Sequence, residues 1–405
     1  MPGRVDNVPF ARAQHIGSLL RPTKLLDVRM RYENGEADYK TELKPVEDEA
    51  ISDIIQLQRS VGLKCLSDGE FRRHMFCDGF HEHLDGFESV VNPPRSIFKM
   101  YVPDVRAFVD SHAKRMAPTW ICKGTIKRKN SPSPYEEQFK SMLQFTTPDE
   151  IKHIKMTTAA PEWYHLRHSS EFAFTKDAYP EDGEVGYFRD IAAAYREELK
   201  ALYGLGCRNV QVDDPLLAYF CDESMIKGMK DEGMDPEAEL TKYIDLYNQC
   251  FAGRPKDMMV GVHLCRGNFK DGMHFSEGGY DRIARRLFNE LDADVYYLEY
   301  DTERAGTFEP LAEMPADKLV VLGVISSKVG ELESPEAMEA KVRSAAKIMA
   351  KAVGQSEQEA LNRLAVSPQC GFASHSEGNN IALEDMTRKL GLVKQVAKKI
   401  WPNDE

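Results

Sequence analysis

The chain has 405 residues, of which 42% are hydrophobic and 29% are charged, so it has enough apolar content for a large core and is not predicted to be disordered. Its formal net charge of −12 at pH 7 argues against a surface that binds nucleic acid or an anionic membrane, because both need a basic stripe. Any anionic ligand must therefore be held by local groups.

The cysteines and the N-terminal residues indicate the compartment. Eight cysteines are spread along the chain without the close spacing of a small disulfide-linked scaffold. Residues 1–12 lack the apolar run of a secretory signal, and no segment approaches the roughly 18 apolar residues of a membrane-spanning helix. We therefore expect a cytoplasmic protein with reduced thiols.

Short apolar runs alternate with helical patterns along the chain, which is typical of a parallel sheet wrapped by helices. Eight strands with crossover helices predict an α/β fold of the closed (β/α)₈ or TIM-barrel type, and an open doubly wound sheet is the alternative. The predicted strands cover residues 13–18, 63–68, 154–159, 209–214, 259–264, 294–299, 319–325 and 363–368.

Two of the connecting helices have clear sequence signals. Residues 186–204 carry the apolar spacing of a helix before the fourth strand. Residues 335–353 form a second such pattern, which begins at Pro335 and is followed by Gly354. Proline at the first position and glycine just past the last one are common helix boundaries, so these limits are predicted closely.

One region interrupts the alternation of strands and helices. Strand-like pieces at 96–103 and 117–126 lie between two proline-containing loops. We interpret the region near residues 92–135 as an inserted hairpin or arm and not as a separate domain. The sequence thus predicts a single catalytic barrel domain over residues 1–405.

Polar residues fall at the carboxyl ends of the predicted strands, which is the face where barrel enzymes place their active sites. His263 and Cys265 end the fifth strand two residues apart, so both point to the same face. Glu299 ends the sixth strand and Cys370 follows the eighth. This set of nitrogen, sulfur and oxygen donors suits Zn²⁺, although spacing alone is equally compatible with core side chains and a salt bridge.

Several motifs occur together in a fixed order, and the set is more specific than any one of them. The motifs are His15-Ile16-Gly17-Ser18 with Arg21-Pro22, Asp68-Gly69-Glu70-Phe71-Arg72-Arg73, Gln211-Val212-Asp213-Asp214-Pro215, His263-Leu264-Cys265, Glu299 and Ser367-Pro368-Gln369-Cys370-Gly371. With them, the sequence resembles the cobalamin-independent methionine synthases, specifically their C-terminal catalytic barrel, and looks closest to short members with a single barrel. The resemblance covers nearly the whole chain.

The resemblance implies a zinc cofactor and a homocysteine site. A thiol that coordinates a metal is deprotonated, so zinc supplies a nucleophile at neutral pH without a protein base. Carboxylates can pair with the substrate ammonium group, and backbone N–H groups with a hydroxyl can receive its carboxylate. The implied zinc ligands are His263, Cys265, Glu299 and Cys370, and the implied homocysteine-binding residues are Ile16, Gly17, Ser18, Glu70 and Asp213.

Two of these carboxylates also have structural alternatives. Glu70 could form an ion pair with Arg72 or Arg73, and Asp213 could cap the turn that follows it. For the alkyl donor, Trp163 could stack on a pterin or another flat group, with ordinary packing at the rim as the alternative. Arg72 could meet an anionic donor, or it could be a solvated arginine.

The sequence departs from the family pattern in three ways. Lys328 stands where full-length members carry an acid/base histidine, and we take it as the candidate catalytic acid. The ordinary pKa of a lysine, about 10.4, suits that role less well. Asp213-Asp214 replaces the family's Asp-Glu pair, and the N-terminal barrel is missing.

The predicted reaction is methyl transfer from 5-methyltetrahydrofolate to homocysteine, giving methionine. Alternatives with the same zinc site are a methylcorrinoid, a methylated sulfur compound or an epoxide as donor, or a thiol like coenzyme M. An enzyme like uroporphyrinogen decarboxylase shares the barrel, but a decarboxylase has no use for two thiolates. The hypothesis of a purely structural zinc site has less support still. No nucleic acid or membrane partner is expected, and a homodimer is one option for the assembly.

Overall fold

The computed structural model describes residues 8–110 and 118–404, and the rest of the sequence, including residues 1–7 of the N-terminal segment, lies outside this description. Eight strands are formed within these ranges. In chain order they are β1 (Leu84–Val90), β2 (Thr119–Arg128), β3 (Lys155–Ala159), β4 (Asn209–Asp213), β5 (Met259–Leu264), β6 (Val295–Glu299), β7 (Leu319–Ile325) and β8 (Leu364–Pro368).

The helices alternate with the later strands, as parallel crossovers require. They are α1 (Thr23–Glu33), α2 (Lys44–Ser60), α3 (Pro103–Asp110), α4 (Pro134–Leu143), α5 (Trp163–Arg167), α6 (Ser170–Ala173), α7 (Gly183–Gly204), α8 (Pro215–Tyr219), α9 (Glu223–Asp231), α10 (Pro236–Phe251), α11 (Ala284–Glu290), α12 (Pro335–Val353), α13 (Glu357–Leu361) and α14 (Leu383–Ile400). None of the helices in the described part of the chain has the length and apolar character needed to cross a membrane.

Strands β3 to β8 form a parallel sheet in chain order. Two earlier extended segments complete the ring, because each pairs with one edge of the sheet and the N–H of Leu19 donates to the carbonyl of Gly69 between them at 3.1 Å. Ala13 pairs with Val366 of β8, and Leu66 pairs with Ile154 next to β3. The (β/α)₈ barrel predicted from the sequence is therefore confirmed. The first two segments make single bridges in place of full ladders, and at Gly17 a φ of 135° takes the backbone out of regular strand geometry.

The two predicted crossover helices are confirmed with small boundary changes. Helix α7 begins at Gly183, three residues before the predicted start, and ends at Gly204 as expected. Helix α12 has the predicted limits, with Ser334 capping its N-terminus and Gly354 ending it in the left-handed conformation at φ 67°.

The inserted hairpin is confirmed, but its first strand lies earlier than predicted. Strand β1 pairs antiparallel with β2, from Leu84 opposite Arg128 to Val90 opposite Thr119. The predicted strand at 96–103 is wrong, because a 3₁₀ turn spans Arg95–Ile97 and α3 begins at Pro103. Prolines on both sides of this segment favour turns and helix starts over a ladder.

Much of the barrel interior at its amino-terminal end is apolar, although the buried Lys155 lies there too, with its ammonium group 4.3 Å from the centre of the Tyr297 ring. Six buried side chains pack there as a separate cluster beneath the site, together with the partly buried Val8, Phe10 and Leu319. This packing leaves the opposite end of the barrel, where the strands finish, for polar chemistry. The six are Ile16, Met259, Val295, Tyr297, Val321 and Ala365.

Candidate active site

A cavity of about 460 Å³ lies at the carboxyl ends of the barrel strands. Its base is polar, whereas much of its wall is aromatic. Phe98 and Trp120 of the hairpin region line it from one side, and Phe269 and Phe275 of the loop after β5 line it from the other. The inserted hairpin thus supplies part of the wall, and the cavity has the mixed lining common in small-molecule sites.

Three predicted metal ligands come together at the base of this cavity. The ligand atoms of His263, Cys265 and Cys370 all lie within 4.8 Å of one another, and the three side chains are buried. The two sulfur atoms are 3.0 Å apart, and Nε2 of His263 is 3.5 Å from Sγ of Cys370. Strand β5 supplies the first two ligand positions and the loop after β8 supplies the third.

This donor set fits a zinc ion. Zinc binds sulfur at about 2.3 Å and nitrogen at about 2.0–2.1 Å, so two ligands of one ion lie within about 4.6 Å of each other. The cluster has close to that spacing. The hydrogen bond with Cys370 lowers the pKa of Cys265 to about 5, although burial opposes this shift, so one thiolate forms readily here.

Glu299, the fourth predicted ligand, lies beside this group but is not part of it. Its carboxylate accepts hydrogen bonds from the backbone N–H of Arg266, at 3.0 Å, and from the guanidinium of Arg304. Burial opposes ionisation of Glu299, but the charges of Arg304 and Arg266 outweigh it and lower the pKa of the carboxyl. The charged oxygen that a metal needs is present, and it is paired with an arginine in this structure.

Two predicted substrate carboxylates face the cavity beside the cysteines. Glu70 accepts a 2.8 Å hydrogen bond from Thr157 through Oε1, and its buried Oε2 has no hydrogen-bond partner among the described residues. Asp213 accepts a 2.6 Å hydrogen bond from Gln211. Burial raises the pKa of Glu70 to about 7 and that of Asp213 to about 6. Such a pair of carboxylates favours a cationic ligand, because a positive charge beside them lowers both of the raised pKa values.

The alternative partner of Glu70 is only indirectly connected to it. Arg73 donates to Oγ1 of Thr157 at 3.0 Å, and Thr157 in turn donates to Glu70. Glu70 also has a positive φ of 62°, which is uncommon for a residue with a side chain. Backbone strain of this kind clusters at functional sites, where the surrounding structure holds it in place.

The first motif packs closely against these carboxylates. Ile16 and Ser18 line the cavity, whereas Gly17 lies behind it. A Cβ atom at Gly17 would lie 2.5 Å from Cγ2 of Thr157 and 3.0 Å from Oε1 of Glu70, so only glycine fits. At Gly371 a Cβ would lie 1.9 Å from Oγ of Ser18, which shows how closely the loop after β8 approaches the same motif.

Asp214, not Asp213, caps the turn after β4. It accepts hydrogen bonds from the N–H groups of Leu216 and Leu217 at 2.7 and 3.0 Å, and from the hydroxyl of Tyr247 at 2.7 Å. These contacts hold the start of α8. The capping role considered for Asp213 thus belongs to its neighbour, and Asp213 remains directed at the cavity.

Trp163, a predicted donor-binding residue, lies in the cavity wall at the start of α5. The guanidinium of Arg167 lies 4.7 Å from the centre of the indole ring and pairs with Asp104 of α3 at 2.8 Å. Phe76 contacts the ring edge-on. Trp163 is therefore held rigidly, and this ion pair connects it to the hairpin insertion.

Arg72, the other predicted donor-binding residue, does not line the cavity in the described part of the structure. Its guanidinium pairs with Glu47 and Asp48 of α2 and donates to Oγ of Ser141 at 2.8 Å. The side chain is only 9% exposed, so it is neither a solvated arginine nor a group that faces the site. Its position indicates a structural role.

Replacing Arg72 with alanine is expected to reduce stability without changing donor binding. Glu47 would keep Arg29 but lose one of its two buried partners, and breaking a buried ion pair reduces stability by about 3 kcal/mol. Urea unfolding and the donor KM would be measured together. Arg189→Ala, which breaks exposed pairs, serves as the control and should change stability by less than about 1 kcal/mol. A raised donor KM for the Arg72 variant would instead support the prediction from the sequence that Arg72 binds the donor.

Lys328, the predicted catalytic acid, also lies outside the described cavity lining. Its ammonium group donates to the carbonyl oxygens of Gly267 at 2.9 Å and Met273 at 3.4 Å. Both acceptors belong to the loop after β5, which carries aromatic wall residues. In this arrangement Lys328 holds that loop in place.

The sequence interpretation missed three polar residues of the site. Asn268 donates to the carbonyl of Gly371 at 2.8 Å and to Oγ of Ser374 at 2.9 Å, which ties the loops after β5 and β8 together. Arg167 and His375 line the cavity. The only sequence signal for His375 was its place five residues after Cys370, in a loop that follows a barrel strand.

Comparison with known proteins agrees with this geometry. The family model for the catalytic domain of cobalamin-independent synthases matches residues 173–399. The uncharacterized protein YxjH of Bacillus subtilis (strain 168) is 33% identical over 395 residues, which are 97% of this chain and 95% of that protein. The chain belongs to the cobalamin-independent methionine synthase family. The family's reaction is methyl transfer.

Other relatives of this chain differ in length. The 5-methyltetrahydropteroyltriglutamate–homocysteine methyltransferase of Rhodococcus jostii (strain RHA1) is 24% identical over 90% of this chain but only 41% of its own length. A candidate vitamin-B12-independent methionine synthase of Listeria monocytogenes is 30% identical with a TM-score of 0.71, covering 98% of this chain and 99% of that one. A B12-independent methionine synthase of Shewanella sp. W3-18-1, at 19% identity, 96% and 98% coverage and a TM-score of 0.65, shares the fold.

Proposed function

We propose that the protein is a zinc-dependent methyltransferase that transfers the methyl group of 5-methyltetrahydrofolate to the thiol of homocysteine, forming methionine. The observation that carries this proposal is the His263, Cys265 and Cys370 cluster on the same cavity as Glu70 and Asp213. A metal-type donor set next to two carboxylates suits a substrate that has both a thiol and an ammonium group.

Separate groups of residues bind the metal and the two ends of homocysteine in the proposed reaction. A zinc ion held by the three clustered ligands, with Glu299 beside them, would supply Lewis-acid stabilisation of a thiolate. Glu70 and Asp213 bind the ammonium group, and Ser18 with the neighbouring backbone receives the carboxylate. These contacts orient the thiol, and orientation of this kind contributes a large share of the rate in bimolecular reactions.

The aromatic wall receives the methyl donor. Trp163, fixed by Arg167, presents a flat surface inside the cavity on which a pterin ring can stack. The wall also excludes water from the thiolate, which keeps its negative charge reactive.

Labelled 5-methyltetrahydrofolate, in mono- and triglutamate forms, with homocysteine and zinc-loaded protein tests the proposal. We expect labelled methionine at catalytic turnover and about one zinc per chain. Homocysteine binding, measured calorimetrically in the absence of any donor, tests the thiol half separately. If the protein binds zinc and homocysteine but forms no methionine from either folate, 5-methyltetrahydrofolate is rejected as the donor and the homocysteine site is retained. If the protein does not bind homocysteine, the proposed function is rejected as a whole.

A further inference from the structure

His375 lies in the loop between β8 and α14, on the wall of the same cavity as Cys265 and Cys370. Its side chain is buried and rests on the ring of Phe269, with 4.2 Å between ring centres. The Nε2 atom is buried and has no hydrogen-bond partner within the described residues. A buried histidine with an unsatisfied nitrogen in a cavity wall is expected to have a ligand as its partner.

The backbone around His375 is held firmly. Arg21 donates to the carbonyl oxygen of His375 at 3.0 Å, and the N–H of Phe76 donates to the carbonyl of Ser374 at 2.9 Å. Asn268 donates to Oγ of Ser374. Three separate segments of the chain thus fix the backbone from which the imidazole projects, and the ring of Phe269 packs against it.

The proposed reaction requires a proton to move. The thiol of homocysteine must lose its proton before attack, and N5 of the folate must gain one to leave as a neutral amine. Lys328, which stands at the family's acid/base position, donates instead to the carbonyls of Gly267 and Met273. A coordinated thiol loses its proton without a protein base, so what the cavity still needs is a group that can hold that proton and deliver it to N5.

The electrostatic surroundings suit a neutral imidazole. Burial lowers the pKa of His375 to about 4, and the charges of Arg21, His74 and Lys270 add to this effect, while Glu377 opposes it. His375 is consequently unprotonated near pH 7 in the free protein and able to accept a proton. Arrival of a thiol provides one, and the negative charge of the thiolate that forms beside the ring would raise the pKa of the imidazole in the complex, so that the proton is held near pH 7.

We propose that His375 carries the proton of the reaction from the homocysteine thiol to the departing folate. In this sequence the S–H bond breaks and Nε2 of His375 accepts the proton. The sulfur then forms a bond to the methyl carbon as the bond from that carbon to N5 breaks, and the imidazolium donates its proton to N5. Atoms and charge balance without any other reactant, and the role rests on the proposed function.

The first test follows the proton without using a methyl donor. Homocysteine binding is measured by calorimetry at pH 7 in buffers of different ionisation enthalpy, which gives the number of protons released. The wild-type protein should retain the thiol proton, whereas His375→Ala should release up to one more proton per site. Equal proton release by the two proteins would overturn the proposal, whatever the donor of the reaction is.

The second test compares two methyl donors in the same variants. With 5-methyltetrahydrofolate, His375→Ala and His375→Gln should lower kcat by about 100-fold or more, because a general acid contributes at least that much. Alkylation of enzyme-bound homocysteine by methyl iodide should keep its rate within about twofold, since iodide leaves without a proton. Added imidazole should restore part of the folate-dependent activity of the alanine variant.

Matched variants separate this role from a structural one. His153→Gln alters a partly buried histidine before β3 that is not among the described residues lining the cavity, and it should behave as the wild type in both tests. Lys328→Met is the competing variant. Loss of folate-dependent turnover in Lys328→Met but not in the His375 variants, or equal loss with both donors in the His375 variants, would show that His375 is not the proton carrier.

Discussion

The Cys370→Ala variant is expected to lose most of its zinc and, with it, methionine formation. Cys370 is the one ligand that comes from the loop after β8, so its removal leaves two donors on the single strand end of β5. Changes to residues that only support a metal ligand reduce affinity about 10–100-fold, and removal of a ligand itself should exceed that range. Zinc content after dialysis, measured by mass spectrometry, gives the result directly.

A matched cysteine makes this experiment specific. Cys221 is also buried, but it is not among the described residues that line the cavity, so Cys221→Ala should retain about one zinc per chain. Full zinc retention by Cys370→Ala would remove Cys370 from the ligand set. The thermal unfolding of both variants should be compared to show that any loss of zinc is local.

Removal of zinc with a chelator should leave the barrel folded. The ligands sit above a large apolar core and are not themselves the main packing groups of the fold. Small zinc domains behave differently, because in them metal binding supplies the folding free energy. Far-UV circular dichroism of the metal-free protein should therefore be unchanged, and unfolding on chelation would favour a structural zinc site.

Strands β3 to β8 were predictable because each is a short, almost fully buried run of residues. Strand β5 was predicted at 259–264 and observed at Met259–Leu264, and β7 was predicted and observed at 319–325. Strands buried on both faces have no polar alternation to obscure their limits. The hairpin was harder, because its first strand alternates exposed and buried residues, whereas the apolar run at 96–103 is interrupted by proline-driven turns.

Pairing between side chains could not be predicted from the sequence. The motif placed Glu299 at a strand end, which the structure bears out, but the arginine that pairs with it comes from a loop whose path has no periodic signal. Arg72 and Arg73 are adjacent in the sequence. One pairs with α2, while the other turns into the barrel and contacts Thr157. The partner that each arginine takes depends on tertiary packing.

Changing Glu70 to glutamine is expected to weaken homocysteine binding strongly and to leave kcat nearly unchanged. The unpartnered oxygen of Glu70 is the group that an ammonium would meet, and a hydrogen bond to a charged group contributes about 1.5–3 kcal/mol. KM for homocysteine should rise about 10- to 100-fold by this argument. Glutamine has nearly the same shape, so the contact with Thr157 can be kept.

The pH dependence gives this prediction a second readout. Burial raises the pKa of Glu70 to about 7, and the ammonium group binds the ionised carboxylate. In the wild type, kcat/KM for homocysteine should therefore fall as the pH drops through about 7. The glutamine variant should lack this inflection, because its side chain does not titrate.

Stability should change in the direction opposite to binding. A carboxyl whose pKa is raised in the folded state favours folding when it is protonated, and this contribution is lost as the pH rises from the unfolded value, about 4.3, through 7. Glu70→Gln should then be more stable than the wild type at pH 8, as is common when a functional charge is removed from a buried site. Glu198→Gln, which alters a buried carboxylate paired with Arg128, should instead reduce stability and leave KM unchanged. If Glu70→Gln also lost stability at pH 8, Glu70 would be a structural group, and the ammonium would have to be bound by Asp213 alone.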